Sequence, residues 1–299
     1  MANRRVLVKR RKAVRNIRKI TRTMQLIATA RFQAAFKRAV ATKPYTEKLA
    51  ELVADLSRAA GSVDHPLLKT HEDVPRSALV VITGDRGLAG GYHASVLRAA
   101  IAHLDQQKAL GIETDVHMVG KKGISYFRFL RRPVVEPITG IGDKVRFDQV
   151  EPLANALMDR FMKGEIASVY VAYMRFLSAG TQRPAVVQIL PLTQQTPPDA
   201  AKKTEEATAE PARNIEYEFS PDPKQLLDEL LPATVRVRFF QAFTDAAVSE
   251  QVARMVAMKA ATDAAADMIK SLTRVYNRAR QTQITMELLD IVGGANALS

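Results

Sequence analysis

The chain has 299 residues, 47% of them hydrophobic and 25% charged, with a formal net charge of +13 and no cysteine. That length holds one or two packed domains and that balance excludes global disorder, while the lack of cysteine excludes disulfides, thiolate metal sites and thiol chemistry. No apolar run approaches the roughly eighteen residues of a membrane span, and His65, His71, His93, His103 and His117 never fall at i, i+4, so neither a transmembrane helix nor a structural zinc is expected.

The charge is concentrated at one end. Residues 1–43 hold fourteen Lys or Arg and no Asp or Glu, which leaves the remainder near neutrality. So basic a segment seeks an acidic partner: a carboxylate-rich protein, anionic headgroups or nucleic acid. From Arg4 to Lys43 it also lacks Gly and Pro, so it can run as a helix of roughly 60 Å. Pro44 predicts a kink, with helical periodicity resuming over Tyr45–Ala59 and stopping at Gly61. Ile17, Ile20, Met24 and Ile27 step by three, four and three, a seam for a second helix, after which Ala28, Phe32 and Ala35 take over the apolar edge.

From about Val74 short β-rich runs alternate with helical stretches, the pattern of an α/β layer with a parallel sheet. Strands are expected at Ser77–Thr83, Thr114–Gly120, Pro133–Glu136, Ala167–Met174 and Ala185–Leu190, and helices at His93–Lys108, Lys121–Leu130 and Phe147–Lys163. Residues 193–213 carry almost no large apolar side chain and read as a mobile loop. Ile215–Phe219 reads as an edge strand, and Asp222 as the cap of a helix that runs to Leu231 and is interrupted by Pro232.

The last run, Ala233 to Val292, is sixty residues without glycine or proline. As a helix it would span roughly 90 Å, too long to lie inside a compact fold. Met258, Thr262, Ala265, Ile269, Leu272, Tyr276, Ala279, Gln283 and Met286 alternate steps of four and three, a coiled-coil spacing whose small members allow close approach and whose polar members weaken a permanent dry interface. The expected fold class is therefore α/β: a long antiparallel coiled coil of the N- and C-terminal helices (1–60 and 222–299) carrying a central Rossmann-like α/β domain (74–219).

Catalytic chemistry is poorly supplied. The turn Gly84-Asp85-Arg86-Gly87-Leu88-Ala89-Gly90-Gly91 lies where phosphate loops sit, but it has neither the dinucleotide spacing nor a Walker lysine, so it reads as a packed turn or one that offers Arg86 to a partner. Acid pairs such as Asp228 with Glu229 lie on solvated helix faces, and no serine is framed as a nucleophile. The basic N-terminal helix keeps nucleic-acid binding open as the alternative, although its charges lie all round the helix and its one aromatic is Phe32.

Three blocks go further: RNIRKITRTMQLIATARF at 15–32, GDRGLAGG at 84–91, and SEQVARMVAMKAATDAA with VYNRARQTQITMELLDIVGGANAL at 249–265 and 275–298. Together they resemble the gamma subunits of F-type ATP synthase, end to end and in order. The resemblance implies a rotor and no cofactor. Its coiled coil would turn inside a hexamer of alternating alpha and beta subunits, with catalysis in the beta subunits and with the epsilon subunit and the membrane ring of c subunits as further partners. By the same resemblance Arg280 and Gln281 match an Arg-Gln pair that meets an acidic loop of a beta subunit, with Thr285 and Glu287 in the same patch. Met24 and Arg254 match positions that affect coupling, Met24 having packing of the coiled coil as its competing reading, and Arg86 matches the arginine of the Asp-Arg-Gly turn. The setting implied is the cytoplasmic face of a bacterial inner membrane, with no direct membrane insertion and no leader peptide.

The chain departs from that pattern at Ala89 and His93, where the family usually has cysteine and asparagine, and at Arg11, where an apolar residue commonly opens the seam. The loop at 193–213 is longer than expected, and no cysteine-bearing regulatory insertion is present.

Overall fold

A computed structural model describes residues 4–59, 65–71, 73–192 and 223–298. In chain order the elements are α1 (Arg4–Ala59), a one-turn 3-10 helix (Pro66–Leu68), β1 (Arg76–Ile82), α2 (Tyr92–Ala109), β2 (Glu113–Val119), α3 (Lys121–Phe129), β3 (Glu136–Ile138), α4 (Phe147–Met162), β4 (Ser168–Ser178), β5 (Thr181–Leu190) and α5 (Pro223–Leu298). The predicted edge strand at 215–219, the cap at Asp222 and the loop at 193–213 lie outside the described residues.

The five strands form one sheet in the order β3-β2-β1-β4-β5. β1, β2, β3 and β4 are parallel, each reached through a helical crossover, whereas β5 runs antiparallel to β4. The expectation of a parallel sheet fails at that edge. Only Ala179 and Gly180 separate β4 from β5, a link that can close a hairpin but cannot carry the chain back along the sheet for a parallel strand. Both strands are also longer than the sequence pattern indicated, because residues 175–178 and 181–184 at their outer ends are half-buried or exposed and carry no apolar alternation.

The core lies on one face of this sheet. Ala78, Val80 and Ile82 of β1 and Val169, Val171 and Tyr173 of β4 meet Leu153, Leu157 and Phe161 of α4, and then Leu227, Leu231, Val235, Phe239 and Phe243 of α5. The alternate residues Leu79 and Val81 are also fully buried, on the face where α2 packs across β1, β4 and β5. The result is a helix–sheet–helix sandwich of the doubly wound kind.

The interruption expected at Pro232 does not occur, since α5 continues through it, and α1 runs on through Pro44 to Ala59. A proline inside a helix costs about 3 kcal/mol. On either side of Pro232, however, Leu227, Leu231, Val235 and Phe239 bury their side chains against the core, and each burial is worth about 1.5–3 kcal/mol. Keeping that stripe aligned outweighs one lost hydrogen bond. Around Pro44, buried Ala39, Leu49 and Leu56 act in the same way.

Contacts between Cα atoms divide the chain into two compact units, one comprising residues 1–31, 88–90 and 251–299 and the other residues 32–87 and 91–250. The first contains the outer parts of α1 and α5; the second contains the sheet. Among the described residues no helix is long and apolar enough to cross a membrane.

Candidate functional site

Within the sheet unit, β1 and β4 are neighbours although five elements separate them in sequence, so the winding of the sheet reverses between them. That reversal opens the crevice in which doubly wound folds bind nucleotides, at the carboxyl ends of the strands. Here α5 fills it. A Cβ added at Gly84 would lie 2.5 Å from Glu250 Oε1, so the carboxylate sits in the space that the missing side chain leaves and would have to shift to admit one. Ser249 Oγ donates to the Met174 carbonyl at 3.1 Å, and Tyr92 donates its hydroxyl to the Ala246 carbonyl at 3.1 Å. The glycine-rich turn therefore seats a helix, as its lack of a phosphate-loop spacing implied.

The turn is held from below as well. Thr83 Oγ1 donates to the Val119 carbonyl at 2.6 Å and accepts the Gly123 N–H at 3.0 Å, and Asp85 Oδ1 accepts the Lys121 N–H at 2.9 Å at the start of α3. His93 spans the turn: Nδ1 accepts the Gly84 N–H at 3.3 Å, which leaves the proton on Nε2 for the Arg86 carbonyl at 2.9 Å. The imidazole thus ties both ends of the Gly84–Arg86 segment to α2, and this accounts for histidine at that position. Arg86 itself is exposed.

In the other unit, α1 and α5 pair antiparallel: Thr21 meets Thr262 and, further out, Arg11 meets Tyr276. On α5 the predicted seam holds through Met258, Thr262, Ala265, Ile269, Leu272, Tyr276 and Ala279, all buried or half-buried, and ends there, since Gln283 and Met286 are exposed. On α1 it requires correction. Ile17, Ile20 and Ile27 are 52%, 60% and 47% exposed, and the buried line is Leu7, Thr21 and Ala28, with Arg11, Val14, Met24 and Gln25 half-buried. The seam runs one residue later, about 100° round the helix. Small side chains let the two backbones approach, and the isoleucine stripe then faces outward.

Polar groups inside the seam are satisfied in place. Thr262 Oγ1 lies 2.8 Å from Thr21 Oγ1 and 2.8 Å from the Met258 carbonyl, while Thr21 Oγ1 lies 3.1 Å from the Arg18 carbonyl, so two hydroxyl protons serve three close contacts. The Arg11 guanidinium stacks over the Tyr276 ring at 4.9 Å, a cation–π contact that replaces the expected apolar opening of the seam.

The predicted contact residues fall into separate places. Arg280, Gln281, Thr285 and Glu287 lie together on two turns of α5, in a stretch from 280 to 293 in which every side chain is exposed. Thr285 bonds back to the Gln281 carbonyl at 3.0 Å, and Glu287 accepts from Gln283 at 2.8 Å. Helical spacing sets Ile284, Leu288 and Ile291 between Arg280 and Gln281 on the same side. Met24 is half-buried at the seam, Arg254 is buried, and Arg86 belongs to the sheet unit. Neither the Thr21–Thr262 pair nor the fit of Glu250 at Gly84 is signalled by local pattern, since both join residues more than 150 positions apart.

The family model described as ATP synthase matches residues 3–298. The chain is 42% identical to the ATP synthase gamma chain of Rhodopirellula baltica, over all of this chain and 99% of that one, and 39% identical to the ATP synthase gamma chain of Leptospira biflexa over all of both. Among solved structures, a chain of the Euglena gracilis mitochondrial ATP synthase in an OSCP/F1/c-ring structure shares the fold with a TM-score of 0.65 at 18% identity, covering 99% of this chain and 94% of that one. A chain of the rotor of the same organism's enzyme matches with a TM-score of 0.60 at 17% identity, covering 94% and 98%.

Proposed function

The chain belongs to the ATP synthase gamma-chain family, and from that membership we propose how it works as the central stalk: its paired helices turn within a hexamer of alpha and beta subunits and drive the beta subunits, which hold the catalytic sites, through their successive states. As a gamma chain it is a non-catalytic stalk subunit. A shaft shifts a neighbour's equilibrium only through contacts that differ in free energy between that neighbour's states.

The observation that carries this reading is the stretch from 280 to 293, where α5 continues past its last half-buried seam residue, Ala279, with every side chain exposed. Arg280 and Gln281 supply a cation and an amide for an acidic loop of a beta subunit, Thr285 and Glu287 extend the patch, and the apolar residues among them make a low-friction surface. The outward stripe of Ile17, Ile20 and Ile27 gives α1 a second contact face. Met24 and Arg254 act from the paired helices, where a change in packing alters the shape presented to the hexamer, and Arg86 acts from the turn at the head of β1. The epsilon subunit and the ring of c subunits are the remaining partners, and the site is the cytoplasmic face of a bacterial inner membrane. Nucleic-acid binding, the alternative raised by the basic N-terminus, is not supported: the family match accounts for the whole chain.

The test is ATP hydrolysis by alpha and beta subunits reconstituted with this chain, beside the same mixture carrying Arg280→Ala with Gln281→Ala. The expected result is one copy per hexamer in both, with turnover at least about tenfold lower in the double variant, equal to about 1.4 kcal/mol of lost coupling. Equal turnover would remove these two residues from the grip, and failure to join the hexamer would remove the rotor reading itself.

A further inference from the structure

The paired helices open on a half-buried charge, Arg11, to which the stalk as described gives no task. No carboxylate is at hand to neutralise it: residues 1–43 contain no Asp or Glu, and on α5 the stretch 268–286 contains none either. An apolar side chain would close the seam without placing a cation in partly dry surroundings. The guanidinium instead lies over the Tyr276 ring, 4.9 Å from its centroid, where the electron-rich face attracts it.

Tyr276 stands four residues before Arg280, so the two side chains are neighbours on one face of α5. Helical side chains lean toward the N-terminus and cover the turn before their own Cα, which would carry Arg280 to the same ring. With no carboxylate in that stretch of α5, the ring is the natural resting place for its guanidinium. Yet Arg280 is exposed and, among the described residues, has no ion pair, hydrogen bond or ring contact. Arg11 accounts for this. Two guanidinium groups on one ring repel each other, and Arg11, half-buried in the seam, gives up more by leaving than Arg280, which stands in water outside it.

We propose that Arg11 is a positioning residue for coupling: by occupying the Tyr276 ring it keeps Arg280 off the shaft and extended toward the acids of a beta subunit. The proposal rests on the stalk reading and on Arg280 as part of the grip. An apolar residue at position 11 would close the seam as well, but it would release the ring to Arg280. The guanidinium would then have to be drawn off the ring each time a beta subunit took hold, and the grip would weaken.

The test compares the wild-type chain, Arg11→Leu, and Arg11→Leu with Tyr276→Leu, each reconstituted with alpha and beta subunits for ATP hydrolysis. Turnover is expected to fall about threefold in Arg11→Leu, the scale of one cation–π contact, and to recover when the ring is removed as well. Recovery on a second deletion is a result that lost packing cannot produce. In parallel, NMR of the three full-length chains follows the Arg280 side-chain protons, assigned by comparison with Arg280→Lys. Ring current should shift them upfield in Arg11→Leu and in neither of the other two. Wild-type turnover in Arg11→Leu, a loss that Tyr276→Leu leaves in place, or an Arg280 signal that does not move overturns the proposal. A wild-type chain that fails to join the hexamer overturns the stalk reading, and this role with it.

Discussion

Leu227–Val248 and Arg280–Gly293 belong to the same helix, α5, yet they are built for opposite purposes. The first places Leu227, Leu231, Val235, Phe239 and Phe243 at steps of four and buries all five against the sheet and α4. The second carries Ile284, Leu288, Leu289, Ile291 and Val292, as apolar as the first, and exposes every one. Hydrophobic content alone therefore does not mark a core. In the first stretch apolar residues fix the helix; in the second they are surface, and a neighbour's contacts set their worth.

The largest expected effect separates these two stretches by stability. Phe239→Ala removes a fully buried ring and should cost about 3–5 kcal/mol, read as a lower urea midpoint, whereas Leu289→Ala should stay within about 0.5 kcal/mol. If Leu289→Ala destabilised the isolated chain as much, the exposed stretch would have a partner within the chain and the contrast would fail.

A smaller effect sharpens the account of the paired helices. Thr262→Val leaves the Thr21 hydroxyl without its partner inside a close-packed seam, and should cost about 1–2 kcal/mol. In that variant the Thr21 hydroxyl still bonds the Arg18 carbonyl; adding Thr21→Val removes the other half of the pair, so the double variant should lose less than the two single losses added together. Strict additivity, measured by thermal or chemical denaturation of all four proteins, would mean that the hydroxyl pair contributes nothing as a pair.

The smallest effect concerns acid and belongs to the sheet unit. Burial holds the His103 imidazole, packed 4.4 Å from the Tyr170 ring, below its ordinary pKa of 6.5, and burial does the same to His65 against a partial opposing pull from Asp228. Above pH 6.5 both residues are neutral in the folded and unfolded chain. As pH falls below that value the unfolded chain takes up protons that the folded chain resists, so stability declines until the folded pKa is passed. The urea midpoint should therefore drop between pH 7.5 and 5.5, and drop less in His103→Gln. An identical slope in that variant would assign the acid loss to other groups.

Much of this was legible without coordinates because periodicity is local. The four-three spacing from Met258 to Ala279 identified the α5 seam, and the alternation of β-rich and helical runs identified the layers. The α1 seam was misread for a physical reason. Ile17, Ile20 and Ile27 form the more apolar stripe, and a sequence shows which face is apolar but not which surface the chain itself covers. Threonines and alanines won the inner face because they allow the helices to come close.

The sequence alone determined the element types, the two terminal helices that need partners, the absence of a phosphate-loop spacing and the family, each written in neighbouring residues or in long motifs. Only the tertiary structure decided that β5 runs antiparallel, that α5 passes through Pro232, that Glu250 fills the space at Gly84 and that Thr21 meets Thr262. Those outcomes depend on free energies of packing between residues far apart in the chain, which local pattern does not encode.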